Sequence, residues 1–297
     1  VCSCLSFRDK LYQMKVVSPN EFPRRLQEIT DPPKKLYREG ELPPEEHKWL
    51  AVVGSRKFSS YGKEVTEMLI SGLAGYPVVI VSGLALGIDA IAHRSALSVK
   101  LPTVAVPGSG LDRSVLYPST NKRLADDILK NGGALLSEFE PTFSATAWSF
   151  PQRNRILAGL SDAVVVIEAE QKSGALITSK FATEYNRDVF TVPGSIFSSS
   201  SSGPHMLIKL GATPITSPSD LLEALGFDTT KRSALNAKRY DDCTPEEKKV
   251  IELLQNPMPR DDLVDELAIP IGKANALLSL MELKGLIKET GGELHLT

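Results

Sequence analysis

The stretch WLAVVGSRKFSSYGKEVTEMLISGLAGYPVVIVSGLALGIDAIAHRSALS, residues 49–98, passes through one series of signals twice. An unbroken apolar run (49–53, then 78–81) meets a Gly-rich loop, and a helical pattern follows (about 61–74, then 89–98). Continuous apolarity suits a strand covered on both faces, which is the condition of a parallel sheet. Outward from this stretch the pattern recurs. Apolar runs fall at 103–106, 134–136, 163–167 and 189–192, and helical patterns at about 119–131, 152–160, 175–186, 204–210 and 218–225. Strands alternating with helices predict an α/β fold, a doubly wound, Rossmann-like and mostly parallel sheet spanning residues 49–227.

The flanks read differently. Residues 1–48 are Pro-rich and charged, and predict an extended N-terminal lead-in that lays Leu26, Ile29, Leu36 and Tyr37 on the sheet domain. Residues 228–243 carry no periodic apolar face and read as a linker. From 244 to 297 the signals change again. Thr244 and Glu247 form a capping box with Pro245 at the first helical position, opening a helix over 245–255. Helices at 260–267 and 271–284 and a hairpin turning at Gly291–Gly292 complete a small C-terminal winged-helix domain.

Composition narrows the classes. The 297 residues are 42% hydrophobic and 24% charged, with a net charge of −2. No apolar run is long enough to span a bilayer. Cys2, Cys4 and Cys243 have no metal-ligand spacing and leave an odd count, so a reducing, cytoplasmic setting is expected. Residues 241–297 hold six basic against twelve acidic residues, whereas 46–227 hold sixteen of each. A neutral sheet domain can still carry a local cationic pocket.

In an open parallel sheet, ligands sit at the carboxyl ends of the strands. Here those ends carry Gly54-Ser55-Arg56, the run SGLALGID (82–89), PGSG (107–110) and KSGALITS (172–179), the last opening a helix. Small residues let backbone N–H groups approach an anion, and a helix N-terminus adds partial positive charge. No GxGxxG follows the first strand, no acid ends the second, and GxxxxGK[ST] is absent, so no dinucleotide or P-loop cofactor is expected. A second cluster, FPQRNRILAGL (150–160), supplies Phe150, Arg153, Asn154 and Arg155, the parts of a surface for phosphates and bases.

The motifs GSRKFSSYG (54–62), SGLALGIDAIAH (82–93), YPSTN (117–121), FPQRNRILAGL, SGALITSKFATEYNRDVFTVPG (173–194) and LIKLGA (207–212) together resemble the DNA-processing protein A (DprA/Smf) family, over about residues 20–226. The resemblance implies a non-enzymatic protein that binds single-stranded DNA, forms a homodimer and loads a RecA-type recombinase during natural transformation. Carried onto this chain, it implies Arg56 as phosphate anchor, with Ser55, Ser82, Gly83 and Gly87 as further donors. Arg153, Asn154 and Arg155 match the second basic element, and Gly174 and Thr178 line the loop after the fifth strand. Asp89 and His93 lie in a matched stretch but read as structural, a helix cap and a hydrogen-bonded core residue. The serine run in FSSSSSGPHMLIKLGA departs from the family pattern and reads as a loop.

Two other readings stand beside this one. Phosphoribohydrolases that cleave nucleoside monophosphates share the fold, and would use a carboxylate such as Glu184 near Thr178. A regulator would read duplex DNA with residues 271–284, yet that helix carries only Lys273 and Lys284. The acidic surroundings favour contact with protein instead.

Overall fold

The computed structural model describes residues 14–228, 243–254, 258–290 and 292–296. They form two compact units that divide after Phe227. The first is built on a nine-stranded sheet of order β1-β2-β6-β5-β4-β3-β7-β8-β9. These strands are β1 (Lys15–Val17), β2 (Leu36–Gly40), β3 (Lys48–Val53), β4 (Val78–Ser82), β5 (Thr103–Ala105), β6 (Ala134–Ser137), β7 (Ala163–Val166), β8 (Asp188–Thr191) and β9 (Thr213–Pro214). The neighbours from β6 across to β9 pair in parallel. Helices α1 (Arg24–Gln27), α2 (Ser60–Gly72), α3 (Ile88–Ser98), α4 (Lys122–Lys130), α5 (Ser149–Leu160), α6 (Gly174–Glu184), α7 (Ser202–Lys209) and α8 (Pro218–Ala224) accompany the strands.

Unbroken apolar runs become strands because both faces of the sheet are covered. In β3, Trp49, Ala51 and Val53 enter one core layer while Leu50 and Val52 enter the other. Strand β7 divides the same way, with Val164 and Val166 facing the layer that holds Ile156 and Leu157 of α5. Ala163 and Val165 face Leu69 and Ile70 of α2. Trp49 is fully buried, and its indole N–H donates to the Pro44 carbonyl at 3.2 Å.

Leu26, Ile29, Leu36 and Tyr37 are buried as expected. The segment that carries them does more than lie on the domain, however. Strand β2 pairs antiparallel with β6, and β1 pairs antiparallel with β2, so the segment widens the sheet by two strands. Leu26 and Ile29 pack against Gly159 of α5, where a Cβ would sit 3.0 Å from the Cδ1 atom of each. KVV and LYREG are too short and too polar to announce strands, because backbone pairing at a sheet edge needs little apolar patterning.

Strand order reverses beside β3, since β4 follows on one side and β7 lies on the other. The loops leaving β3 and β7 therefore diverge and open a crevice at the carboxyl edge.

The second unit contains α9 (Pro245–Leu253), α10 (Arg260–Leu267) and α11 (Ile271–Leu283), with β10 (Met258–Pro259), β11 (Ile287–Thr290) and β12 (Glu293–Leu296) in the order β10-β12-β11. The capping box forms, with the Glu247 N–H donating to Thr244 Oγ1 at 3.2 Å and the Thr244 N–H to Glu247 Oε2 at 2.8 Å. Three helices with a small antiparallel sheet give the expected winged helix. Linker residues 229–242 and Gly291 of the hairpin turn lie outside the described residues.

Candidate functional site

The crevice between β3 and β7 is a cleft of about 450 Å³. Of the residues singled out in the sequence, Ser55, Arg56, Asp89, Phe150, Arg153, Asn154, Gly174 and Thr178 line it. Arg56 leaves the end of β3 exposed to solvent, and its guanidinium carbon lies 4.7 Å from the centroid of the Phe150 ring. The ring face attracts the cation and fixes its direction, while no carboxylate lies within ion-pair distance of it among the described residues. Helix α6 opens beside it. The Ser173 hydroxyl accepts from the Ala175 N–H at 3.3 Å, and the space around Gly174 is open.

Arg153 reaches the same cleft but is not free. It is buried, its Nη1 donates to the Gly83 carbonyl at 2.6 Å and also to the Val106 carbonyl, and its Nε donates to Asn154 Oδ1 at 3.1 Å. The buried Asp89 carboxylate lies close by and accepts the N–H groups of Gly83 (3.1 Å) and Ala85 (3.4 Å). Burial raises the Asp89 pKa and lowers that of Arg153 to about 10, so the arginine stays charged at neutral pH. Together they hold the ends of β4 and β5 and the start of α3. Asn154 Nδ2 donates to the Gly174 carbonyl at 3.1 Å, tying α5 to the start of α6.

Arg155 does not join them. Its guanidinium is bidentate on Glu138 at 2.7 and 2.8 Å and contacts Asp31 at 3.1 Å, so its charge is already matched. Ser82, Gly83 and Gly87 also lie outside the lining. The Ser82 hydroxyl turns into the sheet and donates to the Val52 carbonyl at 2.6 Å. At Gly83 a Cβ would fall 2.5 Å from Arg153 Nη1, and at Gly108 2.6 Å from the Phe150 ring. At Gly87, where φ is +80°, it would meet the Ser55 carbonyl at 2.2 Å. These rim glycines serve close packing of the loops on one another, whereas Gly174 faces open space.

Sequence reasoning passed over Lys57, Glu170 and Lys172, which also line the cleft. Position alone could have found the lysines, one following Arg56 and the other preceding the Ser-Gly that opens α6. Glu170 brings an acid into a cationic cleft, while Glu184 stands at the far end of α6, 3.8 Å from Lys180. Glu168 was missed as well. Its buried carboxylate accepts from the Ser59 N–H (3.0 Å), the Ser59 hydroxyl (2.5 Å) and the Ser200 hydroxyl (3.0 Å). The serine run is thereby fastened to the end of β7, with the Ala169 N–H donating to the Ser200 carbonyl at 2.8 Å.

His93 is fully buried, with Nδ1 2.7 Å from the Thr103 hydroxyl, and burial lowers its pKa to about 3. It is a neutral core residue. Among the described residues, no cluster of His, Cys, Asp or Glu could hold a metal, and no helix is long and apolar enough to cross a membrane.

A doubly wound sheet whose switch point presents an exposed cation, an aromatic face and an open helix start defines an α/β protein with a ligand-type crevice at its carboxyl edge. The chain belongs to the DNA recombination-mediator protein A family, whose model matches residues 13–226, and a DprA winged helix domain matches residues 234–293. Protein Smf of Escherichia coli K12 is 39% identical over 277 residues, covering 91% of this chain and 74% of its own. DNA processing protein DprA of Streptococcus pneumoniae is 46% identical over 206 residues, covering 69% and 72%. The X-ray structure of the S. pneumoniae protein aligns with a TM-score of 0.67 at 44% identity, over 73% of this chain and 76% of that one. DNA processing protein A of Helicobacter pylori, solved for its single-stranded DNA binding mode, aligns with a TM-score of 0.63 at 32% identity, over 72% and 96%.

Proposed function

We propose that this chain binds single-stranded DNA in the β3–β7 cleft and passes the bound strand to a RecA-type recombinase without altering it chemically. Arg56 carries the reading, as an exposed cation held over the Phe150 ring at the cleft mouth. A phosphate docks on its forked donors while a neighbouring base meets the aromatic face, a pairing that tolerates every base. Lys57, Lys172 and the start of α6 extend the positive field. The binding mode for which the H. pylori relative was solved supports the single-strand choice, and membership of a recombination-mediator family supports the hand-over.

The protein acts as a homodimer in this proposal, joined through residues 205–225, where Met206 and Leu210 are exposed. Two clefts on one strand raise avidity without any new contact. In the hydrolase alternative Glu184 does not line the cleft, although the carboxylates of Asp89 and Glu170 do.

Oligonucleotide titration over a range of salt concentrations tests the reading. Arg56→Ala is expected to weaken binding about tenfold for every base composition and to lower the salt slope by about 0.7. Unchanged affinity at every salt concentration removes Arg56 as the anchor. Release of free base from nucleoside monophosphates would favour the enzyme instead.

A further inference from the structure

The motif YPSTN (117–121) takes no part in the cleft, yet the fold sets it on the rim. Tyr117 is 45% exposed, and its ring lies 5.7 Å from that of Phe150, tilted by 55°. Arg56, Phe150 and Tyr117 thus follow one another as cation, ring, ring. The backbone holds Tyr117 in place, since its N–H donates to the Ser109 hydroxyl at 3.1 Å. Asn121 Nδ2 donates to the carbonyls of Leu84 (2.9 Å) and Ala85 (3.1 Å), and Ala85 itself lines the cleft.

Beyond Tyr117 the chain turns into α4, and a groove of about 570 Å³ opens between α3 and α4. Arg94, Thr120 and Arg123 line it. Both arginines are exposed, and neither has an ion-pair partner among the described residues. The one acid lining the groove, Asp127, is 3.4 Å from the Lys130 ammonium. An exposed tyrosine or two surface arginines alone would mean little, because most surface charges are idle. Here a half-exposed ring, held by its neighbours, lies between a cationic cleft and a cationic groove.

We infer that the strand leaving the cleft stacks a base on Tyr117 and lays its next phosphates in the α3–α4 groove, on Arg94 and Arg123. This rests on the single-strand reading of the cleft and adds a direction to it. The path leaves the carboxyl edge at Tyr117 and continues between α3 and α4, so a strand must exceed the cleft in length to use it. Stacking on Tyr117 is indifferent to base identity, and the arginines contact only backbone.

Fluorescence anisotropy with oligothymidylates of about 5 and about 15 nucleotides separates the two parts of the track. Tyr117→Ala, and separately the double substitution Arg94→Ala with Arg123→Ala, are expected to weaken the longer ligand about tenfold and leave the shorter within about twofold. Tyr117→Phe retains binding of the longer ligand, since the ring and not the hydroxyl carries the stack. The double variant also lowers the salt slope for the longer ligand by about 1.4. Should these variants change both lengths equally, or neither, while Arg56→Ala weakens both, the groove is no part of the track and the cleft reading survives. Should Arg56→Ala change neither, the cleft reading falls and this inference with it. The arginine variants alter only exposed side chains, so they decide the matter even where Tyr117→Ala disturbs the rim.

Discussion

Arg56, Arg153 and Arg155 are chemically alike, and the fold gives each a different task. Arg56 ends a strand in solvent over a ring; Arg153 is buried on two carbonyls beside Asp89; Arg155 is closed on Glu138. Arg153→Gln strands the buried Asp89 charge and removes a donor from the Gly83 and Val106 carbonyls. A loss of about 3–5 kcal/mol in stability is expected in a urea melt, whereas Arg56→Ala is expected to melt as the native chain does. Equal midpoints for the two variants would contradict this division of labour. His93 gives the pH prediction. Its pKa is about 3 in the fold against 6.5 in the open chain, so between those values only the unfolded state takes up the proton. The His93 contribution is full above pH 6.5 and declines as the pH falls, by up to about 1.4 kcal/mol per pH unit. Asp89, whose pKa burial raises, acts in the opposite sense. His93→Gln is therefore expected to flatten the decline between pH 6.5 and about pH 5, and an unaltered profile would locate the proton elsewhere.

At the scale of elements, the loops after β3, β4 and β7 form one interlocked rim. Gly87 lets the start of α3 press on the Ser55–Arg56 backbone, and Gly83 leaves room for the Arg153 guanidinium. Gly87→Ala meets two penalties, a positive φ and a carbonyl 2.2 Å away. A cost above about 1 kcal/mol is expected, with weaker oligonucleotide binding because the Arg56 loop must shift. Full binding with native stability would show the loops to be independent. Six of the seven parallel strands and the three C-terminal helices were legible because buried runs and 3.6-residue periodicity are local signals. Strands β1, β2, β9 and β10 were not, since pairing at or next to a sheet edge is decided by a neighbour distant in sequence.

Across the whole molecule, the two units divide their charge. In the winged helix every arginine and lysine that could face a phosphate from α10 or α11 is matched: Arg260 to Glu282 and Glu289, Lys273 to Glu246, Lys284 to Glu247. Removing residues 241–297 is accordingly expected to leave single-strand affinity within about twofold at moderate salt. A large loss in the same titration would make the winged helix part of the DNA track. The exposed Ile271, Leu280 and Leu283 of α11 fit contact with protein better than with a phosphate backbone.

By itself, the sequence determined the layered α/β architecture, the capping box that opens α9, the presence of Arg56 and Gly174 in loops beyond strand ends and that of Phe150 at the opening of α5, because periodicity and turn chemistry act over a few residues. Tertiary structure alone decided which of those residues share a surface. It buried Arg153, turned Arg155 and Ser82 away, added Lys57 and Lys172 to the cleft and set Tyr117 beside Phe150. The reason is that a side chain's charge is spent or spared by partners brought from remote parts of the chain: Glu138 lies 17 residues from Arg155, and the Gly83 carbonyl lies 70 from Arg153.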